Sequence, residues 1–192
     1  MKDLSLEFKS NLQKLFIEKR FSELETEIEN IGKIKDLPNN IFYLYAISKS
    51  LNPLSKKDDL ILATEFLIQI YNKNKKNLEP LFNLVVVSLK AKTYKKTLKI
   101  LYEAFIENPK NEKIIDALAK FNYILANNEE AYKYYKLLFE INPNQILSRP
   151  TFLTLLNYYP LITQKEYLKE SKLYVDIIEK NLNENFSFNT SS

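Results

Sequence analysis

The side chains that most often carry enzyme chemistry are missing from this sequence. It contains no His and no Cys, and its only glycine is Gly32. Thiol nucleophiles, Ser-His-Asp triads and zinc sites of the usual nitrogen and sulfur ligands are therefore excluded. A single glycine also rules out a P-loop and a dinucleotide fingerprint, because both need several glycines for backbone amides to reach phosphate. Carboxylates and hydroxyls remain, yet no spacing among them suggests an acid–base pair. Asp58-Asp59 is the nearest thing to a metal motif, and adjacent carboxylates without further ligands are expected simply to start a helix, where negative charge is favoured. The segment Lys90 to Lys99, which contains Tyr94, has the composition of a basic patch with an aromatic. A solvated turn explains it better, so nucleic acid is disfavoured as a partner. The reading is of a protein with no catalytic, cofactor-binding or metal-binding residues and no cofactor.

Composition agrees. The 192 residues fit one domain with a real core, and 28 basic against 24 acidic residues leave a net charge of only +4. No apolar stretch approaches the roughly 20 residues of a membrane span. The opening MKDLSLEFKS carries charge throughout and does not resemble a secretory signal, and the chain offers no disulfide framework. These features place the expectation in the cytoplasm, away from the membrane.

The elements that would position any site are read from repetition. Phe105-Ile-Glu-Asn-Pro109 recurs as Phe139-Glu-Ile-Asn-Pro143, so Phe, Asn and Pro each return after 34 residues. Counting back from each proline gives Leu81, Leu84, Thr97, Leu101 and Ala104 in one copy and Ile115, Leu118, Ala131, Tyr135 and Leu138 in the next. A small residue early in a second helix, with a large one four later, is what two antiparallel helices need to pack. Each proline ends its helix, since it cannot continue the hydrogen-bond ladder and biases the preceding asparagine out of the helical region.

The spacing predicts helices over 78–91, 94–107, 112–126 and 129–141, with turns at Lys92-Thr93 and Asn127-Asn128. Upstream, pairs are expected at 4–18 with 21–34, ending in Asp36-Leu-Pro38, and at Ile41 to Ser50 followed by a helix through Ala63, Leu67 and Ile70. A turn over Leu51 to Asp59 separates the latter two. Downstream, Arg149-Pro150 opens a short helix that Pro160 stops. Thr163-Gln-Lys-Glu166 then forms a capping box for a longer helix, with Tyr167, Leu168, Tyr174, Ile177 and Ile178 on one stripe. Most tyrosines, Tyr132, Tyr134 and Tyr135 among them, belong to packing helices. The predicted fold is all-α, a right-handed α-α superhelix of about four to five antiparallel helix pairs. One domain over 1–182 is expected, with its clearest repeats at 78–111 and 112–145, a C-terminal pair at 150–182 and a flexible tail at 183–192.

The two prolines, the 34-residue period and the Ala131 to Tyr135 pair resemble the tetratricopeptide family over about residues 38–145, although Val85 and Ala119 stand where that family usually has glycine. The resemblance implies a groove lined by the first helices, in which a protein or peptide partner would lie. Its lining by repeat position is Glu79, Phe82, Asn83, Val86 and Lys90, then Lys113, Asp116, Lys120 and Tyr123. The competing expectation is that these residues are solvated or covered by the chain's own C-terminal helix. Asn83 matches a family asparagine that contacts the backbone of a bound peptide, while Ala117 occupies the position in the next repeat.

Leu156-Asn157-Tyr158-Tyr159-Pro160 with the following helix is also similar to the junction of bacterial O-linked N-acetylglucosamine transferase-like proteins. That resemblance implies a second reading, a substrate-recognising part of a glycosyltransferase without its catalytic domain. A catalytic glycosyltransferase domain is accordingly a further candidate partner, and apolar faces at either end of a short solenoid make a second copy of the chain another.

Overall fold

The computed structural model describes residues 4–34 and 37–188, with side chains through 182. Among these residues ten helices and no strand form: α1 (Leu6–Ile17), α2 (Phe21–Ile31), α3 (Asn39–Leu51), α4 (Lys57–Lys73), α5 (Glu79–Ala91), α6 (Tyr94–Glu107), α7 (Glu112–Ile124), α8 (Asn128–Ile141), α9 (Arg149–Tyr158) and α10 (Gln164–Phe188). Five successive pairs result, an all-α fold of tetratricopeptide type. The chain divides into two compact units, Met1–Thr97 and Leu98–Ser192, with the boundary inside α6.

Pro109 and Pro143 stand at equivalent exits. Each lies two residues past the end of a second helix, α6 or α8. The asparagine before each proline closes the last turn, Asn108 N–H donating to the Ala104 carbonyl at 3.0 Å and Asn142 N–H to the Leu138 carbonyl at 2.8 Å. Asn52 before Pro53 does the same at the end of α3, to the Ser48 carbonyl at 2.8 Å.

The turns inside three pairs also share one geometry. Lys19, Lys92 and Ala126 adopt left-handed backbone conformations with φ near 58°. The next residue, Arg20, Thr93 or Asn127, donates its N–H back to the carbonyl of Leu15, Ser88 or Asn122, five residues earlier. This is the Schellman closure, usually made with glycine, and here it is made without one.

In the first unit a core of Leu12, Leu15, Leu24, Ile28, Ile41 and Tyr45 joins α1, α2 and α3. Ala63, Leu67, Leu81, Leu84 and Val87 are fully buried on α4 and α5. Burial of each leucine contributes roughly 1.5–3 kcal/mol. In the second unit Leu118 and Ala119 on α7, Ala131, Tyr135 and Leu138 on α8, and Phe152 and Leu155 on α9 are buried. Rings of Tyr135 and Phe139 meet Phe152 at 5.6 and 5.2 Å, fastening α9 onto α8.

Four details differ from the sequence reading. First, α4 begins at Lys57, inside the expected turn, because the Asp59 carboxylate accepts the Lys56 backbone N–H at 2.9 Å and caps the helix. Asp58 and Asp59 thus occupy a first helical turn. Second, Leu168 leaves the expected stripe of α10, being 58% exposed, whereas Ile177 is buried. Third, the backbone of α10 continues to Phe188, past the 182 boundary at which the sequence reading began its tail. Asp36 and residues 189–192, on which parts of that reading fall, lie outside the described residues. Fourth, contacts cluster the chain into the two units given above, where the sequence reading drew one domain.

Candidate functional site

In the first unit, α5 lies beside α3 as well as α4. These two first helices are therefore neighbours, and the side of α5 toward α3 carries Glu79, Asn83 and Lys90. The Tyr43 hydroxyl on α3 donates to the Glu79 carboxylate at 2.9 Å and accepts from Asn83 Nδ2 at 2.6 Å. Burial first, then the hydrogen bond to Glu79, holds the Tyr43 phenol well above its usual pKa, so it remains a donor. Asn83 Nδ2 also reaches the Glu79 carbonyl one turn back, at 3.2 Å. One turn past Val86, Lys90 Nζ donates to the Ser50 carbonyl of α3 at 2.8 Å.

Glu79, Asn83 and Lys90 thus tie α5 to α3. Phe82 is half-buried between them in sequence, and Val86, 49% exposed, is left open on the same helix. The Asn83 donor is committed within the fold, and among the described residues no hydrogen bond is made to its Oδ1.

In the second unit the expected residues fall on α7. Asp116 and Lys120 pair across one helical turn at 2.6 Å. The other Asp116 oxygen accepts from the Ser148 hydroxyl, at the N-terminus of α9. Asp116 therefore joins α7 to α9 as Tyr43 joins α5 to α3. Lys113 is exposed in the first turn of α7, and Tyr123 is half-buried near its end. The helix starts on an asparagine cap, Asn111 Oδ1 accepting from the Lys113 and Ile114 N–H groups at 3.1 and 3.2 Å.

The C-terminal helix takes the place of a second helix. It meets α8 through Lys136 and Glu170 at 3.5 Å, and α9 through Arg149 and Glu170 at 3.4 Å. A small cavity of about 110 Å³ lies where α8, α9 and α10 converge, lined by Tyr132, Phe152, Leu156 and Glu170 among others. Helix α10 thus packs against α8 and α9. Burial pulls the Arg149 guanidinium down, Glu170 opposes that pull, and the Pro143 carbonyl accepts from it at 2.6 Å.

Two partners were not legible from the repeat, Tyr43 and Ser148, because neither has an equivalent one period away. Nor was an ionic cluster in the first unit. Lys49 on α3 meets Glu25 at 3.1 Å, Glu29 at 3.5 Å and Asp59 at 3.1 Å, drawing α2 and the start of α4 onto α3. Burial alone would depress the Lys49 ammonium, but hydrogen bonds to Glu25 and Asp59 outweigh it and hold its pKa above the usual value.

What this arrangement supplies is non-covalent: an exposed valine, an amide acceptor, charges of both signs and half-buried rings. Among the described residues no group of three or more His, Cys, Asp or Glu side chains is placed to hold a metal ion. No helix among them is long and apolar enough to cross a membrane.

Helix pairs with equivalent proline exits, first helices side by side and recurring turn closures define a helical-repeat protein of tetratricopeptide type. Solved structures of the protein MamA share this fold. A double mutant of MamA from RS-1 superposes with a TM-score of 0.74 at 12% identity over 91% of this chain and 94% of that one. MamA from Desulfovibrio magneticus RS-1, starting at residue 41, gives 0.68 at 12% identity over 96% of each chain. MamA from MSR-1 gives 0.69 at 15% identity over 91% and 96%. At these identities the likeness is one of fold. No protein-family model matches the chain, and no curated protein matches it in sequence. The likeness to a repeat-to-glycosyltransferase junction gains no support from these structures.

Proposed function

We propose that this chain is a non-catalytic scaffold that holds a protein or peptide partner on the faces of its first helices. The observation that carries the proposal is the side-by-side placement of α3 and α5. It fixes Glu79, Asn83 and Lys90 through Tyr43 and Ser50 and leaves Val86 exposed beside the half-buried Asn83. Anchored polar groups around an open apolar side chain lose little conformational freedom on binding, which favours association. In the second unit, α7 offers Lys113, Lys120 and Tyr123 around the Asp116 to Ser148 link.

A photo-crosslinking residue placed at Val86 tests this reading against one placed at Gln69, exposed on the second helix α4. The expected result is a specific adduct from position 86 and none from 69. Adducts from 69 with none from 86 would move the binding face elsewhere.

A further inference from the structure

Helix α10 has two apolar edges. Tyr167, Tyr174, Ile177 and Ile178 lie on the edge turned toward the rest of the second unit, half-buried or buried. Leu168, Val175 and Leu182 form a second edge, 58%, 48% and 51% exposed. They are spaced by seven residues, just under two helical turns, so they remain on one side of the helix and drift by only about 20° per step. Immediately beside this stripe run Lys172 and Glu179, also exposed and also seven apart. Among the described residues neither has an ion-pair partner.

The pattern is complementary to its own reversal. About Val175, Leu168 and Leu182 are equidistant, and Lys172, three residues before it, and Glu179, four after it, come to levels one residue apart when the helix is reversed, an offset of about 1.5 Å along the axis. We propose that α10 pairs antiparallel with α10 of a second copy about a two-fold axis near Val175. Such an axis exchanges the two directions along the helix. It therefore sets Val175 beside Val175, Leu168 beside Leu182 of the second copy, and each Lys172 beside a Glu179. A parallel pair lacks this match, because its two-fold axis runs along the helices and carries the flank that holds Lys172 and Glu179 to the opposite side of the seam in the second copy. An unrelated partner would have no reason to meet a stripe whose charges invert through its centre. Only one helix face is buried, so the dimer is concentration-dependent. The inference rests on α10 alone and is independent of the first-helix faces.

Sedimentation equilibrium of the full chain over a range of concentrations tests it, with four variants: K172E, E179K, the exchanged K172E/E179K, and V175D. The wild type is expected to dimerise. Each single reversal sets two like-charge pairs together and should weaken the dimer by roughly tenfold or more. The exchanged variant restores both ion pairs and should return to within about threefold of wild type. V175D should be monomeric with an unchanged melting temperature, its side chain being exposed in the monomer. A wild type that remains monomeric at about millimolar concentration, with the stripe then covered by some other molecule, overturns the proposal. So does a dimer indifferent to the single reversals, or an exchanged variant as weak as either single one.

Discussion

Lys19, Lys92 and Ala126 occupy a backbone region that costs an L-residue roughly 1–2 kcal/mol. Ala126 is exposed, so no packing is lost by removing its methyl group. Ala126→Gly is therefore expected to stabilise the chain by about 1 kcal/mol, checked by the urea midpoint. A lowered midpoint would mean that the left-handed turn is not the dominant conformation there. A second residue-scale test concerns Ser88 and Thr97, both fully buried and joined hydroxyl to hydroxyl at 2.6 Å. Thr97 also reaches the Thr93 carbonyl, at 3.3 Å, whereas among the described residues no other bond holds the Ser88 hydroxyl. Thr97→Val should thus cost about 1–3 kcal/mol and Ser88→Ala less, with the double variant milder than Thr97→Val alone. A double-mutant cycle of urea midpoints that proves additive would show that the two hydroxyls do not interact.

At the scale of elements, Lys49 is the fastening between α2, α3 and α4 in the first unit. Lys49→Ala leaves the Glu25 carboxylate buried without its counter-charge, although Ser48 and Asn52 still donate to it at 3.0 and 3.1 Å. A loss of about 3 kcal/mol is expected on thermal or urea unfolding.

Asp59 gives the same cluster a pH dependence. The backbone N–H of Lys56 first, opposed by burial and aided by Lys49, holds its carboxyl below the ordinary range. A carboxyl with a lower pKa in the folded state contributes stability above its unfolded value and loses it as pH falls through the folded one. Unfolding should therefore ease below about pH 4, and more steeply in wild type than in Asp59→Asn. Parallel pH profiles for the two proteins would contradict this assignment.

Most elements were legible in the sequence for reasons that are local. The bounds of α5 to α8 follow from the two prolines and the polar turns within a couple of residues, since a proline ends a helix whatever surrounds it. The start of α4 was not, because its cap is a side chain reaching back three residues within a segment rich in turn-formers. Repeat position puts Glu79, Asn83 and Lys90 together on α5, but the bonds that hold them to α3 were not legible. Tyr43 lies 40 residues before Asn83, and Ser50 lies 40 before Lys90. The long α4 stretches that interval beyond the 34-residue period, so counting back from Pro109 does not reach them. Ser88 and Asn122, one true period apart, are both buried. The second edge of α10 was masked because Leu168 sits next in sequence to inward-facing Tyr167, and either could have belonged to the core stripe.

At the scale of the whole molecule, a fold shared with MamA across at least nine-tenths of each chain coexists with 12–15% identity. Such a fold needs apolar and small groups at framework positions and constrains its surface little, which is why it identifies an architecture and leaves the partner to the exposed residues. Under the proposed function, Val86 and Asn83 hold a partner on the first-helix face. The most direct measurement is the affinity of the protein captured by crosslinking from position 86, determined by titration calorimetry against wild type, Val86→Asp and Asn83→Ala. The account predicts that Val86→Asp weakens binding by roughly tenfold or more and Asn83→Ala by a smaller factor, with the melting temperature of Val86→Asp unchanged. Equal affinity for wild type and Val86→Asp would contradict it.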